Sequence, residues 1–347
     1  MRNVICEILE KCRFYPSGDN CQPFNFKIHD DSLEIIHVED RAAHSFNPKN
    51  ISSKLTLGFL LEAISIVASE YQLQYFVDIK ENGVDATINF FPVKNLITDP
   101  LSPYVKNRIT DRRLYDTELN WQHLKNLIYN NNALQPKNIY LLKNEQQTEL
   151  KDYLIEADKI VWLWSQAFFD ITKMIKFNEQ SIVKLGLSPK NIGLKPSDVL
   201  ATKIMVRFRP LYYILKTLGF LSVVSKNNTL KTLDHSPAFI LITLRNKDLA
   251  STGRDIYRLW TLLCAQGYSL QPMSAAVLPP YCFFNGAGND IPTKFQDFYA
   301  EHQWTLNKLF KVNKSQTPIF MFRVGRVNQS FPPENSISRL DLKDLAA

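Results

Sequence analysis

The feature of this sequence that most restricts its fold is a diverged internal repeat. The segment QPFNFKI at residues 22–28 recurs 113 positions later as QPKNIYL at residues 135–141, and both copies continue as strand patterns. An apolar helix that opens with a glycine occurs at Gly58 and again, 195 positions later, at Gly253. Because the second offset exceeds the first by 82 residues, the second copy is expected to carry an insertion of about that length.

The repeat predicts an α+β protein in which two similar halves have mixed or antiparallel sheets flanked by helices. The first half covers residues 1–100 and the second covers residues 101–347, with the insertion at about 143–234. Runs of bulky apolar residues at 238–243 and 319–325 are typical of buried strands in the second half.

The insertion has the pattern of several helices. Apolar residues from Leu150 to Ile175 recur at spacings of three and four, which places them along one helix face. Another helix is expected to start after the residues Pro196, Ser197 and Asp198 and to break near Pro210, with a further apolar segment from Leu211 to Val224 behind it. A lid or a brace between the halves is the favoured interpretation, and a reversible membrane contact is the alternative. The last apolar segment is too short for a membrane span and contains Lys216.

Composition narrows the class of protein. The chain has 347 residues, of which 45% are hydrophobic, and its charged N-terminus lacks the apolar run of a signal peptide or a membrane span. We therefore expect a soluble cytoplasmic protein without a transmembrane segment. Five sparse cysteines, an odd number, are expected to be free thiols, and the histidines show no metal-ligand spacing.

The basic charge does not select a partner. The formal net charge is +7, but the basic residues are scattered, and their densest group is typical of a solvated helix face. No aromatic residues are interleaved with them as in RNA-reading motifs, so nucleic-acid binding is not expected. The sequence DHS at 234–236 contains the residue types of a hydrolytic triad, but neighbours on an extended chain cannot align as acid, base and nucleophile. The densest basic group comprises Lys203, Arg207, Arg209 and Lys216.

The loop before the first strand has the chemistry to face a flat heteroaromatic ligand. Pro16, Ser17 and Gly18 favour a tight turn. The side-chain amides of Asn20 and Gln22 offer donors and acceptors to ring nitrogens and carbonyls. From composition alone, an ordinary loop that enters a strand is the simpler interpretation.

The pattern P-S-x-x-N-x-Q-P followed by an aromatic residue resembles the flavin-contacting segment of the FMN-dependent nitroreductase superfamily. Phe24 stands where that family most often has Trp. In the family, two subunits form an obligate dimer with flavin at their interface, and tandem members such as the Acg-like proteins fuse both subunits into one chain. The resemblance therefore implies a pseudo-dimer within one chain, which would be monomeric because its dimer is already fused.

A phosphate-binding segment is implied by the same resemblance. Arg108, Thr110 and Arg112 are similar to the family's R-x-S-x-R, with Thr in place of Ser. Guanidinium groups are planar, permanently charged forks that suit a terminal phosphate dianion, and a hydroxyl adds one donor. Arg339 resembles the C-terminal basic residue that the family returns to this phosphate. Surface charges are the simpler interpretation of this arginine-rich segment.

The two halves lack complementary parts of the family pattern. The first half has no R-x-S-x-R before Pro16, and the second half has NNNA at 130–133 where the first has SGDN. In the family, each flavin takes its phosphate arginines from one subunit and its loop from the other. One complete site is therefore predicted, which implies one FMN per chain.

A third segment, formed by Gln271, Pro272, Met273 and Ser274, resembles the family segment whose backbone amides approach the flavin N5. The favoured function is hydride or electron transfer through flavin N5 to a small organic acceptor, with NAD(P)H as the donor that the family implies. No side-chain acid or base is required, because the cofactor carries the chemistry. A non-catalytic protein that stores or sequesters FMN, and a specialised flavin-dependent redox tailoring enzyme, remain as alternatives.

Overall fold

The structure is a computed structural model, and it shows an α+β protein with two four-stranded antiparallel sheets flanked by helices. The α+β class expected from the sequence is confirmed. Asn132, Ala133 and Gln135, on which part of the repeat comparison depends, lie outside the described residues. The residues that the structure describes are 1–131, 134, 136–145, 148–177, 183–328 and 338–347.

The first sheet is formed by the N-terminal part of the chain. Its elements are α1 (Arg2–Cys12), β1 (Phe24–Ile28), β2 (Ser32–His37), α2 (Glu39–Ala42), α3 (Ile51–Ala68), β3 (Leu73–Ile79) and β4 (Ala86–Pro92). The strands lie in the order β1-β2-β4-β3, and every neighbouring pair is antiparallel. Phe24 and Phe26 are buried and alternate with more exposed residues, since successive side chains of a strand face opposite sides.

The second sheet has the same strand topology as the first. Its strand order is β5-β6-β8-β7, again antiparallel, and α10 connects the second and third strands as α3 does in the first sheet. The expected strands at 238–243 and 319–325 are present as the buried strands β6 and β8. The elements in chain order are α4 (Trp121–Tyr129), β5 (Ile139–Lys143), α5 (Thr148–Leu163), α6 (Ser165–Met174), α7 (Pro196–Arg207), α8 (Arg209–Thr217), α9 (Phe220–Asp234), β6 (Ala238–Thr243), α10 (Leu249–Ala265), β7 (Ser269–Pro272), α11 (Leu278–Phe284), α12 (Thr293–Glu301), α13 (Thr305–Leu309) and β8 (Pro318–Gly325).

The helices α3 and α10 pack against each other at the centre, and one continuous hydrophobic core includes residues of both sheets. Gly58 lies inside α3 and Gly253 inside α10, so the expectation that these glycines open their helices is wrong. Their positions are explained by the helix crossing, where the two backbones approach closely. Among the described residues, the helical stretch Pro48–Tyr71 is long and apolar enough to cross a membrane, and 83% of its most apolar window is buried inside the protein.

Among the described residues between β5 and β6, the chain forms five helices, α5 to α9. The single helix face expected from Leu150 to Ile175 is divided between α5 and α6, because the backbone at Trp164 is extended (φ −86°, ψ 104°). The Trp164 side chain is buried in a cluster with Ile160 and Phe295, so packing of the indole favours the break. α7 begins at Pro196, three residues earlier than expected, since proline suits the first turn of a helix, and the break falls between α7 and α8, where Pro210 lies in the first turn of α8.

The C-terminus returns to the first sheet. Phe26 in β1 donates its backbone N–H to the carbonyl of Leu345 (2.7 Å) and accepts from the backbone N–H of Ala347 (3.0 Å), in a parallel bridge. The last residues of the chain thus extend the edge of the sheet formed by its first residues. As a consequence, residues 338–341 lie beside the loop that precedes β1.

Candidate functional site

The loop between α1 and β1 is tight and largely buried. The backbone N–H of Gln22 donates to Oγ of Ser17 (3.0 Å), which closes the turn. Asp19, Asn20 and Gln22 all have positive φ (47°, 58° and 46°), a conformation that is uncommon outside glycine. Side chains of Asn20 and Gln22 are 2% and 0% exposed. Such a cluster of left-handed residues is typical of functional loops that the surrounding structure holds in place.

The two amides of this loop contact the insertion and the C-terminal segment. Nδ2 of Asn20 lies within donor distance of the carbonyls of Gly186 (2.9 Å), Lys184 (3.2 Å) and Ser338 (3.2 Å). Gln22 donates through Nε2 to Lys184 (2.7 Å) and accepts through Oε1 from the backbone N–H of Leu340 (2.9 Å). Oδ1 of Asn20 is buried and has no hydrogen-bond partner among the described residues. These hydrogen bonds thus join the loop, the insertion and the C-terminal segment. The contact of the two amides with a flavin ring stays a prediction.

Arg108 is the most informative of the predicted phosphate ligands. Its side chain is 4% exposed, and Nη2 donates to the carbonyl of Phe14 (3.1 Å), two residues before Pro16. The guanidinium lies over the ring of Trp260, 4.3 Å from its centroid. Nε and Nη1 are buried without a hydrogen-bond partner in the part of the chain that the structure describes. Burial lowers the pKa of this arginine, since the surroundings do not stabilise its charge fully.

Arg339 lies beside Arg108 at the same end of the loop. Its Nη2 donates to the carbonyl of Tyr15 (3.4 Å), and its side chain is 6% exposed. Burial, followed by the positive charge of Arg108, lowers the pKa of Arg339 to about 9. Arg13 donates to the carbonyl of Leu340 (2.9 Å) and adds a third cation at this place. Two buried guanidinium groups that repel each other are costly unless an anion compensates them.

The segment from Arg108 to Arg112 forms neither a helix nor a strand, and two hydrogen bonds hold its backbone in place. The indole N–H of Trp260 donates to the carbonyl of Ile109 (3.1 Å), and the backbone N–H of Asp111 donates to Leu270 of β7 (3.0 Å). Burial lowers the pKa of Arg112, while the carboxylate of Asp19 in the loop opposes that change. Thr110, between these arginines, is partly buried.

The predicted N5-facing segment adjoins the arginine segment at the end of β7. Gln271 and Pro272 belong to β7, Met273 donates its backbone N–H to Met321 of β8 (2.8 Å), and Ser274 begins a short 3-10 turn. Because Leu270 of the same strand pairs with Asp111, the segment starts within a few residues of the predicted phosphate ligands. The sequence-predicted residues from both halves are therefore brought to one region.

Arg323 is a residue of this region that sequence reasoning missed. Its side chain is fully buried in β8, Nε donates to Oε1 of Gln271 (2.7 Å), and Nη2 donates to the carbonyl of Arg113 (2.8 Å). The guanidinium lies 3.9 Å from the ring centroid of Tyr115. Burial lowers its pKa, and Nη1 has no partner within the described residues. An arginine inside the otherwise apolar run 319–325 was the available signal.

The residues present fit the phosphate group of FMN better than they fit its ring. The two unpaired nitrogens of Arg108 are donors without an acceptor, and a phosphate dianion would supply oxygens for them. By contrast, the donors of Asn20 and Gln22 are already bonded to the carbonyls of Lys184 and Gly186. For the predicted contacts with the ring to form, these carbonyls must move away from the amides, or the ring must contact Oδ1 of Asn20 instead.

Two cavities share no lining residue with the loop 16–22 or with the predicted phosphate ligands. One, of about 450 Å³, is lined by residues that include Tyr75, Asp99 and Arg254. The other, of about 220 Å³, is lined by residues that include Tyr281 and Trp304. Neither is lined by a residue of the loop 16–22. The described residues contain no group of three or more potential metal ligands, and all five cysteines are free thiols.

The chain was compared with family models, curated proteins and solved structures. No family model matches the chain, and no curated protein matches it. A matching solved structure is a mutant of NfnB, described as an FMN and NADPH-dependent nitroreductase derived from sphigopyxis sp. strain HMH. The two share 13% sequence identity with a TM-score of 0.37, over 71% of this chain and 97% of that chain. A likeness at this level carries no conclusion about this chain, and the fusion of two nitroreductase-like halves in one chain stays a prediction.

Proposed function

We propose that this protein is an FMN-binding, nitroreductase-like flavoprotein. The observation that carries the proposal is the buried guanidinium of Arg108, which has two unpaired nitrogens and lies beside a second buried arginine, Arg339. The phosphate of FMN would bring a negative charge to Arg108 and acceptor oxygens to these two nitrogens.

Each predicted site residue has a role in this proposal. Arg108, Thr110, Arg112 and Arg339 hold the phosphate, while Pro16, Ser17, Gly18, Asn20 and Gln22 form the loop that orients the ring. Gln271, Pro272, Met273 and Ser274 present backbone amides toward it. Arg323 fixes the side chain of Gln271 and adds a positive charge nearby, which favours an anionic ligand. Bound FMN supplies hydride or electron transfer to a small organic acceptor, with NAD(P)H as donor.

We infer also that the chain is a pseudo-dimer of two nitroreductase-like halves, divided near residue 100. Support comes from the matching strand orders, from the crossing of α3 and α10, and from the return of the C-terminus to β1. In such a chain the second half supplies Arg108 and Arg339, and the first half supplies the loop. A monomer located in the cytoplasm would then contain a complete site.

The decisive experiment is the absorbance spectrum of purified protein after incubation with FMN and gel filtration. The wild type is expected to retain the flavin bands, and Arg108→Ala is expected to lose them while keeping its circular dichroism spectrum. Arg2→Ala is the matched control, because Arg2 is an exposed arginine of α1. Wild-type protein that retains no flavin, or Arg108→Ala protein that retains it fully, contradicts the proposal.

Storage of FMN without turnover is the second candidate function, and one observation favours it. The insertion lies on the loop through Lys184 and Gly186, at the place where the ring would meet Asn20 and Gln22. An insertion that closes over bound flavin would exclude acceptors. Anaerobic mixing of the FMN-loaded protein with NADPH separates the two functions. Rapid bleaching that a quinone or a nitroaromatic reverses supports the enzyme, whereas a stable yellow colour supports storage.

A further inference from the structure

The outer surface of helices α7, α8 and α9 exposes an unusual number of large apolar side chains. Of the 17 large apolar residues that are exposed in the described chain, eight lie between residues 200 and 223. We call this surface the α7–α9 face. Single exposed apolar residues are common on proteins, but a concentration on three consecutive packed helices marks an interaction surface. The eight residues are Leu200, Ile204, Phe208, Tyr213, Ile214, Leu218, Phe220 and Val223.

The inward faces of these helices are formed by other side chains, which are already packed. Met205, Tyr212 and Leu221 are buried in a cluster with Phe168 of α6. The helices therefore have a second apolar face that points outward. Its most prominent part is the corner between α8 and α9, where Leu218 and Phe220 are 75% and 55% exposed on either side of Gly219.

Positive charge is concentrated on the same helices. Residues 196–234, which include the three helices, contain six Lys or Arg and two Asp, a formal net charge of +4, which is more than half of the +7 of the whole chain. Lys195, Arg207, Arg209, Lys226 and Lys231 are exposed. These three helices thus carry a larger share of the net charge than their length would give, and the α7–α9 face is basic.

We propose that the α7–α9 face docks peripherally on an anionic lipid bilayer. Exposed Leu and Phe at a helix corner can enter the headgroup boundary, and surrounding Lys and Arg are attracted to acidic headgroups. A second copy of this chain is a poor occupant, because the contact would bring two surfaces with an excess of positive charge together. This inference concerns a surface distinct from the flavin region and does not depend on FMN binding.

Co-sedimentation of the full-length protein with vesicles tests the proposal. One set of vesicles contains phosphatidylcholine alone, and the other contains phosphatidylcholine with about one third phosphatidylglycerol. Binding to the anionic set is expected to be at least about tenfold stronger and to weaken as salt is raised. The double variant Leu218→Asp/Phe220→Asp removes the apolar corner, and Arg207→Glu/Lys226→Glu removes exposed charge. Each double variant is expected to lose at least about tenfold in binding.

Ile97→Asp is the matched control, since Ile97 is 87% exposed but lies outside these helices. It is expected to bind vesicles as the wild type does. The proposal is overturned if wild-type protein stays in the supernatant with both vesicle sets, or if neutral and anionic vesicles bind it equally. Sedimentation velocity supplies a further test. A wild-type dimer that becomes monomeric in Leu218→Asp/Phe220→Asp would show that a second copy, rather than lipid, covers the face.

Discussion

The backbones of Gly58 and Gly253 are in direct contact where α3 crosses α10. A Cβ atom on Gly58 would lie 2.8 Å from the Cα of Gly253 and 2.1 Å from the carbonyl oxygen of Ala250. A Cβ atom on Gly253 would lie 2.2 Å from the carbonyl oxygen of Leu55. Only glycine permits this approach, because the opposing atoms belong to the backbone and cannot turn away. The helix crossing that joins the two sheets thus depends on both positions.

Gly58→Ala is expected to destabilise the protein by about 3 kcal/mol, the upper part of the range for overpacking in a core. The measurement is urea unfolding followed by circular dichroism. Gly18→Ala is the matched control, since no atom lies within 4 Å of a Cβ placed there. Its free energy of unfolding should stay within about 0.5 kcal/mol of the wild type. Equal stability of the Gly58 and Gly18 variants would show that the helices do not cross as described.

A buried carboxylate also joins the two central helices. Glu62 of α3 accepts from Nε of Arg254 (2.9 Å) and from Nε of Arg258 (2.5 Å), both in α10. Glu62→Gln is expected to cost about 2 kcal/mol, less than a fully buried pair because Arg254 is one third exposed. Thermal unfolding measures the effect. Glu34→Gln is the control, since the contacts of Glu34 with Lys27 (3.9 Å) and with Nε2 of His29 (2.7 Å) are exposed, and their loss should cost less than about 1 kcal/mol.

Much of the fold was predictable because it depends on local patterns. Alternating residues predicted β1, and continuous apolar runs predicted β6 and β8. The sequence shows Gly58 and Gly253 as matching positions of the repeat, but it does not show that they contact each other. A helix crossing brings together residues that are distant in sequence. The break between α5 and α6 was missed for the same reason, since it depends on how Trp164 packs against other elements.

The residues of the candidate site were proposed from the sequence, but the contacts that they make were not. The loop at 16–22 and the arginine segment were found through residue chemistry and resemblance, and the structure places them in one region. Neither residue chemistry nor the resemblance indicates that the carbonyls of Lys184 and Gly186 accept from the side-chain amides of Asn20 and Gln22. The insertion that supplies these carbonyls has no counterpart in the family motif. Arg323 was not predicted as a site residue, because a single arginine within an apolar run does not indicate which residues it contacts.

Asn20→Ala is expected to loosen the insertion where it rests on the loop. The substitution removes the donor that the carbonyls of Lys184 and Gly186 share, which is worth about 1 to 2 kcal/mol or roughly a tenfold change in the opening equilibrium. Trypsin cleavage after Lys184, followed by mass spectrometry in the absence of flavin, should accelerate by about that factor. Asn228→Ala on the exposed side of α9 should leave the rate unchanged. Unaltered cleavage in both variants would mean that these hydrogen bonds do not hold the segment.

Binding of FMN is expected to weaken as the pH rises through about 9. Burial and the charge of Arg108 lower the pKa of Arg339 to about 9, so this guanidinium is charged below that pH and loses its charge above it. A phosphate dianion, which forms above a pH of about 6, is therefore held best between these limits. Fluorescence titration with FMN at several pH values measures the effect.

Arg339→Lys separates this titration from any change in the flavin itself. A lysine has an ordinary pKa about 2 units below that of arginine, and burial lowers both, so the loss of affinity should begin at a lower pH in the variant. A titration that belonged to the ligand would not move with the substitution. Superimposable pH profiles for the wild type and Arg339→Lys would therefore rule out Arg339 as the titrating group.

One FMN per chain is expected, although the chain contains two sheets of the same topology. A second site would need cations from the first half, but Arg13 already contacts the first site, where it donates to the carbonyl of Leu340 (2.9 Å) and pairs with Glu10 (2.7 Å). It would also need a loop at 130–133, where the sequence lacks the serine and glycine of the first loop. Flavin released by denaturation, divided by protein from amino-acid analysis, should give a ratio close to one, and Arg108→Ala should reduce it to near zero. A ratio of two in folded wild-type protein would show that both halves contribute arginines and that the division of roles between them is wrong.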